Sequence, residues 1–166
     1  NPWEEVDKLY DPSPAAEDRF GFSVALEGNV AVVGAPYDDE KATNAGGAFV
    51  FRTNEITGRF ELDGRLLAAD GQAHDYFGWS VSISAGSVVV GAPLHNDIGV
   101  DNGAAYFFQQ NEFGDWVQVQ KVVGSDQWYN AEFGQRVHIS GKQAIISAPH
   151  HSHAGWAAGA AYVFET

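Results

Sequence analysis

The chain has 166 residues, of which 45% are hydrophobic and 13% aromatic, so it has the apolar material for a folded core and is not a disordered chain. Its 22 acidic and 9 basic residues give a net charge of −13, which argues against nucleic acid as a partner, because phosphate binding relies on Lys and Arg. Without Cys, disulfides and thiolate metal sites are excluded, and no apolar run approaches the ~20 residues of a membrane span. A chain that begins at Asn1 and lacks Met is typical of a processed, secreted protein or of a piece of a longer one.

One stretch of the sequence occurs three times. Its copies run over residues 20–36, 77–93 and, with drift, 133–149. Corresponding residues lie 57 and 56 positions apart, and a fixed period of this size indicates a repeat architecture. We therefore predict a single unit over residues 1–166. Its repeats are predicted to span residues 2–58, 59–114 and 115–166.

Each repeat contains four short segments with strand character. The first begins with an aromatic residue and alternates apolar and polar residues, which predicts a half-buried strand; its copies are residues 3–9, 60–66 and 116–122. The second starts at a Phe-Gly pair and ends in a Gly-containing turn, as a hairpin does. The third is apolar on both faces, which suits a strand between neighbouring sheets, and Gly-Ala-Pro ends it. The fourth follows a loop of nine residues and joins small residues to an aromatic end; its copies are residues 46–51, 103–108 and 159–164.

Four antiparallel strands in each repeat of this length predict the blades of a β-propeller. The Phe-Gly and Gly-Ala-Pro landmarks resemble the FG-GAP repeats of bacterial and algal extracellular proteins, which are related to the blades of the integrin alpha-subunit propeller. Repeat 3 departs from this pattern, because Ser147 stands where the other repeats have Gly. The resemblance implies an all-β fold of three four-stranded blades per chain. It also implies an extracellular, secreted or cell-surface protein that acts in adhesion or ligand binding.

The resemblance also bears on calcium. Integrin-type repeats that bind calcium carry an Asp-x-Asp-x-Asp-Gly-like loop between the Phe-Gly and Gly-Ala-Pro strands. Here that loop is only Glu27-Gly28-Asn29 or its equivalents. The calcium site of that loop is therefore predicted to be absent.

The strand order predicts how the blades are completed. In the order that the resemblance implies, residues 3–9 form the outer strand of a blade, whereas repeat 3 stops after its third strand. We expect residues 3–9 to close the blade of residues 133–164, which removes an exposed edge. Three blades are fewer than the four to eight of ordinary propellers. A homodimer of six blades, in which each chain closes the other's last blade, is therefore predicted, and a fragment of a longer propeller is the alternative.

The long loops before the Phe-Gly strands and after Gly-Ala-Pro are predicted to share one face, which we call the long-loop face. It holds 12 of the 22 acidic residues and, among bases, only Arg19 and Lys41, so its net charge is −10. Clustered carboxylates bind hard cations such as Ca²⁺, although Asp is also common in loops because it stabilises turns. The His-rich segment 150–153 offers ligands for Zn²⁺, Ni²⁺ or Cu²⁺, with a solvated loop as the alternative. The candidate metal ligands are Asp38, Asp39, Asp97, Asp101, His151 and His153, with Ca²⁺ as the candidate cofactor.

Aromatic residues of the same face are able to stack on the apolar side of a sugar ring. The candidate ligand-binding residues are Trp128, Tyr129, Trp156, Tyr37 and Tyr76. The alternative for these residues is to seal contacts between blades or subunits. A basic residue recurs in the first segment of each repeat, as Lys8, Arg65 and Lys121, which predicts a structural ion pair in each blade.

The sequence gives catalysis little support. It contains no Gly-x-Ser-x-Gly elbow, no His-Glu-x-x-His and no phosphate-binding loop. The favoured prediction is a non-enzymatic extracellular binding or adhesion module for a glycan or protein ligand, without membrane insertion and with a homodimeric assembly. A structural subunit of an extracellular assembly is the alternative. A glycoside-active enzyme that uses paired loop carboxylates comes third.

Overall fold

The computed structural model describes residues 2–97, 99–126 and 128–166. These residues form an all-β structure, which confirms the predicted fold class. The strands are β1 (Ser23–Glu27), β2 (Val30–Ala35), β3 (Gly47–Thr53), β4 (Phe60–Leu66), β5 (Ser80–Ser84), β6 (Ser87–Ala92), β7 (Ala104–Gln110), β8 (Trp116–Val122), β9 (Val137–Ser140), β10 (Gln143–Ala148) and β11 (Ala160–Glu165). In this part of the chain no helix has the length and apolarity that a membrane crossing requires.

The strands form three antiparallel sheets. Blade 1 has the order β1-β2-β3-β4, blade 2 has the order β5-β6-β7-β8, and blade 3 has only β9, β10 and β11 among the described residues. The outer strands β4 and β8 come from the repeat that follows, as predicted, because each pairs with the last strand of the preceding repeat. The arrangement agrees with consecutive blades of a β-propeller.

The hairpin at the start of each blade is tight. Glu27 pairs with Val30, so only Gly28 and Asn29 form the turn between β1 and β2. Gly28 has a φ of 59°, the left-handed conformation that such two-residue turns require. This turn leaves no place for a longer acidic loop between the two strands.

The cores lie between the blades. One cluster joins Val32 and Val50 of blade 1 to Phe77 and Tyr106 of blade 2, and a second joins blade 2 to blade 3. Strand β2 is buried along its whole length because it has neighbours on both faces. The prediction of two buried faces is wrong for β10, whose residues alternate between buried and exposed. Among the described residues no sheet covers the far face of blade 3.

Two glycines allow the backbones of neighbouring blades to approach. A Cβ atom at Gly34 would lie 2.1 Å from the carbonyl oxygen of Gly78, and one at Gly91 would lie 1.9 Å from that of Gly134. Ser147 holds the equivalent position in blade 3, on the face that no described sheet covers. Its departure from the Gly-Ala-Pro pattern therefore occurs where no blade comes close.

Residues 3–9 form no strand in the single chain, so the prediction of a strand there is wrong for this structure. The carboxylate of Asp7 accepts hydrogen bonds from the backbone N–H of Phe60 and from Arg59, both at 2.9 Å. Leu9 packs against the outer cluster of blade 1. The segment thus lies on blade 1, and without a partner strand it has no ladder to join. Closure of blade 3 by a second chain stays a prediction.

Candidate functional site

The long loops are fixed by hydrogen bonds between adjacent blades. The N–H groups of His74 and Tyr76 donate to the carbonyl groups of Thr43 and Asn44, at 2.8 and 3.1 Å. Equivalent bonds join the loops of blades 2 and 3. The loops before the Phe-Gly strands were predicted to lie on the same face as those after Gly-Ala-Pro. These backbone hydrogen bonds show that the two kinds of loop are in direct contact.

A cation from the outer strand binds several loop groups in blade 2. The Nζ atom of Lys121 lies 2.8 Å from Asp70, 3.3 Å from Asp97 and 3.0 Å from Nε2 of His95. Tyr106 donates a hydrogen bond of 3.0 Å to Asp70. Burial alone would raise the pKa of Asp70, but the hydrogen bonds from Lys121 and Tyr106 hold this pKa below its usual value.

Behind this cation lies a buried histidine–carboxylate pair. Nδ1 of His95 is 2.8 Å from Asp75, and both side chains are 1% exposed. The other oxygen of Asp75 is buried without a hydrogen-bond partner. Removal of His95 would leave the buried carboxylate of Asp75 with the backbone N–H of Gln72 as its remaining donor among the described residues, which is costly.

Blade 1 holds its outer-strand cation in the equivalent place. Arg65 forms ion pairs with Asp38 and Glu40, and its guanidinium carbon lies 4.9 Å from the ring centre of Phe49. The predicted ion pairs are therefore confirmed for Arg65 and Lys121. Lys8 makes no ion pair with a described residue, and its ammonium lies 5.4 Å from the ring centre of Tyr10.

Blade 3 has counterparts of Asp70, His95 and Tyr106, but the described residues supply no Lys or Arg to them. Tyr162 donates a hydrogen bond of 2.6 Å to Asp126. Nε2 of His151 lies 3.1 Å from the carbonyl oxygen of Asp126 and 3.3 Å from its carboxylate. The hydrogen bond from Tyr162 lowers the pKa of Asp126. The carboxylate of Asp126 is therefore ionised and open to a cation from outside the blade.

Blade 1 also contains three carboxylates close together. One oxygen each of Asp11, Asp18 and Asp38 lie within 4.8 Å of one another, and Asp18 and Asp38 are only 5% and 3% exposed. Burial raises the pKa of Asp18, and the charges of Asp38 and Asp11 raise it further. One oxygen of Asp11 is buried without a hydrogen-bond partner. Such a set of carboxylates has the donor chemistry of a hard-cation site.

The sequence did not single out Asp11 and Asp18 as ligands. The available signal was the repeat alignment, in which the position of Asp18 holds Asp75 in repeat 2 and Ala131 in repeat 3. The position of Asp38 holds His95 and His151 in the same alignment. Two buried carboxylates therefore face each other only in repeat 1.

The six predicted metal ligands lie on three different blades. Asp38 joins the carboxylate group of blade 1, whereas Asp39 accepts a hydrogen bond of 2.6 Å from the backbone of Asn44. Asp97 pairs with Lys121, and burial raises the pKa of Asp101. The backbone N–H of His153 donates to Nδ1 of His151 at 3.2 Å, so that this nitrogen is already occupied. Of the six predicted ligands, Asp38 is thus the one that the structure places in the group of carboxylates with Asp11 and Asp18.

Three of the predicted ligand-binding residues line a common cleft. Its volume is about 380 Å³, and its walls are Trp128, Tyr129, Asn130, His150, Ser152, Trp156 and Ala157. The exposed fractions of Trp128, Tyr129 and Trp156 are 48%, 67% and 94%. Aromatic surface of this extent is available to a ligand, and the amide, imidazole and hydroxyl groups beside it offer hydrogen bonds.

Tyr37 and Tyr76 lie in a different aromatic group. Their ring centres are 5.0 Å apart, and Tyr76 also packs against Trp79 at 6.0 Å. Trp79 contacts Phe22 of blade 1 at 4.6 Å. These half-buried rings join blades 1 and 2. Their contacts agree with the alternative role, packing between blades, better than with an open ligand site.

The family model described as FG-GAP repeat matches the chain three times, over residues 3–51, 60–108 and 116–164. The chain belongs to the FG-GAP repeat family. Each FG-GAP match begins at the aromatic residue of an outer-strand segment and ends at the last Phe of the fourth segment. The resemblance that the Phe-Gly and Gly-Ala-Pro landmarks indicated is thereby confirmed.

Among solved structures, the periplasmic gluconolactonase PpgL of Pseudomonas aeruginosa is similar to this FG-GAP chain with a TM-score of 0.50 and 12% sequence identity. The match covers 86% of this chain and 38% of that one, so the chain spans less than half the length of the gluconolactonase. At this identity the likeness concerns the fold alone. The comparison with curated proteins found no significant match.

Calcium binding stays a prediction, and Asp18→Asn tests it at the carboxylate group. Because burial raises the folded-state pKa of Asp18 and Asp38, the stability tied to their protonation is present at low pH and lost as the pH rises. With chelator at pH 7, we expect Asp18→Asn to be more stable than the parent by about 1 kcal/mol, or roughly 2–4 °C in Tm. Ca²⁺ at 100 times its Kd should stabilise the parent by about 2.7 kcal/mol and the variant much less.

Glu112→Gln is the matched control, because it removes one exposed charge outside the group. Thermal melts with and without millimolar Ca²⁺, Mg²⁺ or Zn²⁺ measure both effects. If the parent melts at the same temperature with each of these cations as with chelator, cation binding at the carboxylate group is excluded.

Proposed function

We propose that the chain is a non-enzymatic, extracellular binding or adhesion module that recognises a glycan through the cleft of Trp128, Tyr129 and Trp156. The observation that carries the proposal is the nearly full exposure of Trp156, at 94%, beside two other exposed aromatic rings. Contiguous exposed apolar surface of this kind marks sites that bind a ligand or another protein. Membership of the FG-GAP family supports a propeller-like scaffold for such a cleft.

The chemistry of the cleft suits a sugar. A pyranose ring has one apolar face that stacks on an aromatic ring and hydroxyl groups at its edge that hydrogen-bond. The cleft offers both kinds of contact, since Asn130 and Ser152 lie beside the rings. His150 is 2.9 Å from Glu132, which fixes one imidazole nitrogen at the wall of the cleft. Polar groups held in this way give orientation and specificity to an otherwise apolar contact.

A glycan array followed by titration calorimetry tests this function. Trp156→Ala should weaken binding of the best oligosaccharide at least about tenfold, because an exposed Trp anchor contributes on the order of 2 kcal/mol. Its melting temperature should not change, since the side chain is almost fully in water. Phe113→Ala is the matched control, because Phe113 is 81% exposed on the β7–β8 loop, away from the cleft. Binding that survives Trp156→Ala and Trp128→Ala unchanged would contradict the proposal.

A structural subunit of an extracellular assembly is the second candidate. Exposed apolar residues favour it, since Val24 and Leu26 on blade 1 are 69% and 67% exposed and Val163 on blade 3 is 67% exposed. Faces of this kind commonly bind other proteins. Absence of binding across the array, together with filaments that form as concentration rises, would favour this role over the first. We likewise propose, as another assembly through protein contacts, that two copies of the chain form a six-blade homodimer.

The glycoside-active enzyme remains the third candidate. The close carboxylates Asp18 and Asp38 line a separate cleft, whose walls contain none of the exposed aromatic residues discussed above. An enzyme would need its carboxylates beside the bound sugar. This separation supports binding without hydrolysis.

A further inference from the structure

We propose that the cleft of Trp128, Tyr129 and Trp156 selects its glycan by charge: it takes sugars without acidic groups and excludes uronic, sialic and sulfated sugars. Glu132 is the residue that determines this specificity, with Asp101 beside it. The inference rests on the proposed function, because it specifies the ligand of the same cleft.

The internal repeat offers a comparison for the cleft, because its loop backbone recurs in repeat 2. Asn130 and Ala157 on the walls have φ angles of 54° and 51°. Their counterparts in repeat 2, His74 and Asp101, have φ angles of 67° and 50°. The backbone conformation is therefore shared, and the character of the cleft comes from its side chains.

The exposed aromatic rings occur at these loop positions in repeat 3 alone. In repeat 2 the three positions hold Gln72, Ala73 and Val100, and in repeat 1 they hold Ala15, Ala16 and Thr43. The loops between blades 1 and 2 are joined by the same kind of backbone hydrogen bond without these rings. Packing of the loops therefore does not require them, which leaves them available to a ligand.

Glu132 brings a carboxylate to the wall of this cleft. One of its oxygens lies 2.9 Å from Nδ1 of His150, which lines the cleft, and the other lies 2.5 Å from Nε2 of Gln135. At the corresponding positions of repeat 1, the guanidinium carbon of Arg19 lies 4.1 Å from the ring centre of Tyr37. Repeat 3 thus has a carboxylate where repeat 1 has a cation.

A second carboxylate lies beside Glu132. The backbone N–H of Glu132 donates to the carbonyl oxygen of Asp101 at 3.1 Å, and burial together with the charge of Glu132 raises the pKa of Asp101. The residues that line the cleft include neither Lys nor Arg. Arg136 donates to the carbonyl oxygen of Gln135 and does not line the cleft. The charges described at this end of the cleft are therefore mainly negative.

This arrangement discriminates between sugars by electrostatics. An acidic sugar would meet like charge and would lose hydration without a Lys or Arg to replace it. A neutral sugar instead offers hydroxyl groups, which donate well to a carboxylate, and an amino sugar offers a cation. The net charge of −13 acts in the same direction at longer range.

Matched pairs of sugars test the selection. The probes are N-acetyllactosamine with and without terminal sialic acid, galactose oligomers with and without sulfate, and tetragalacturonate with its neutral methyl ester. In each pair whose neutral member binds, titration calorimetry should show the acidic member binding at least about tenfold more weakly, because like charges in contact are costly. In the parent protein, raising NaCl from about 20 mM to about 500 mM should narrow this ratio, since salt screens charge.

Glu132→Gln tests the residue itself, because Gln keeps an oxygen that accepts the hydrogen bond from Nδ1 of His150. The ratio between neutral and acidic members should fall by at least about threefold. Glu17→Gln is the matched control: it removes one exposed charge from the long-loop face of blade 1 and should leave the ratio unchanged.

The outcomes separate this inference from the proposed function. Acidic members that bind as tightly as their neutral partners, a ratio that salt does not change, or equal effects of Glu132→Gln and Glu17→Gln would overturn the charge selection while glycan binding stands. Absence of binding by every probe and by every other glycan of the array would overturn the proposed function, and this inference with it.

Discussion

Replacing Gly91 by Ala is expected to destabilise the protein by at least about 3 kcal/mol, or roughly 6–12 °C in Tm. The new Cβ atom would lie 1.9 Å from the carbonyl oxygen of Gly134, far inside van der Waals contact. The obstacle is backbone rather than a movable side chain, so blades 2 and 3 would have to separate. Chemical denaturation of the variant, followed by circular dichroism, measures the loss.

Ser147→Ala is the matched control for this variant. Ser147 holds the position of Gly91 in blade 3, and its Cβ atom is already accommodated. We expect a loss of about 1 kcal/mol, because its hydroxyl accepts a hydrogen bond from the backbone N–H of Arg136 at 3.0 Å. If Gly91→Ala cost no more than Ser147→Ala, the close approach of the blades would be wrong.

His95→Leu is expected to cost about 3–5 kcal/mol, although the two side chains have similar volumes. The substitution removes the imidazole that lies 2.8 Å from Asp75 and leaves this buried carboxylate with the backbone N–H of Gln72 as its remaining donor among the described residues. Denaturant unfolding at pH 7 gives the loss of stability.

Asp75→Asn in the His95→Leu background separates charge from packing. The double variant should regain a substantial part of the lost stability, since no carboxylate then remains buried there. Blade 3 already carries Ala131 at the position of Asp75, which shows that the fold accommodates an uncharged residue there. A double variant less stable than His95→Leu would show that the charge of Asp75 is not the cause.

The strands were predictable because local pattern and internal repeat agree. The Phe-Gly and Gly-Ala-Pro segments became β1 and β2 and their copies, with the apolar third segment buried as expected in blades 1 and 2. The prediction was wrong for β10 because burial depends on a neighbouring sheet, which the pattern of one segment does not contain. Residues 3–9 have the alternating pattern of a strand, but they form none in this structure, because a strand needs a neighbouring strand to pair with.

The candidate sites were only partly predictable. The sequence analysis predicted that the long loops share one face. It did not show that Trp128 and Trp156 share a cleft while Tyr37 and Tyr76 pack between blades. Asp11 is separated from Asp38 by the whole β1–β2 hairpin, so its proximity comes from tertiary contacts. The ion pairs of Arg65 and Lys121 were predictable, because a basic residue recurs once per repeat.

Fluorine NMR of protein labelled with 5-fluorotryptophan tests the central claim most directly, because the chain has five Trp residues to report separately. Titration with the best oligosaccharide from the array should shift the signals of Trp128 and Trp156. The signals of Trp3, Trp79 and Trp116, assigned by single Trp→Phe variants, should stay in place. Saturable shifts confined to the first two would support glycan recognition in the cleft. Shifts confined to Trp3, Trp79 or Trp116 would contradict it.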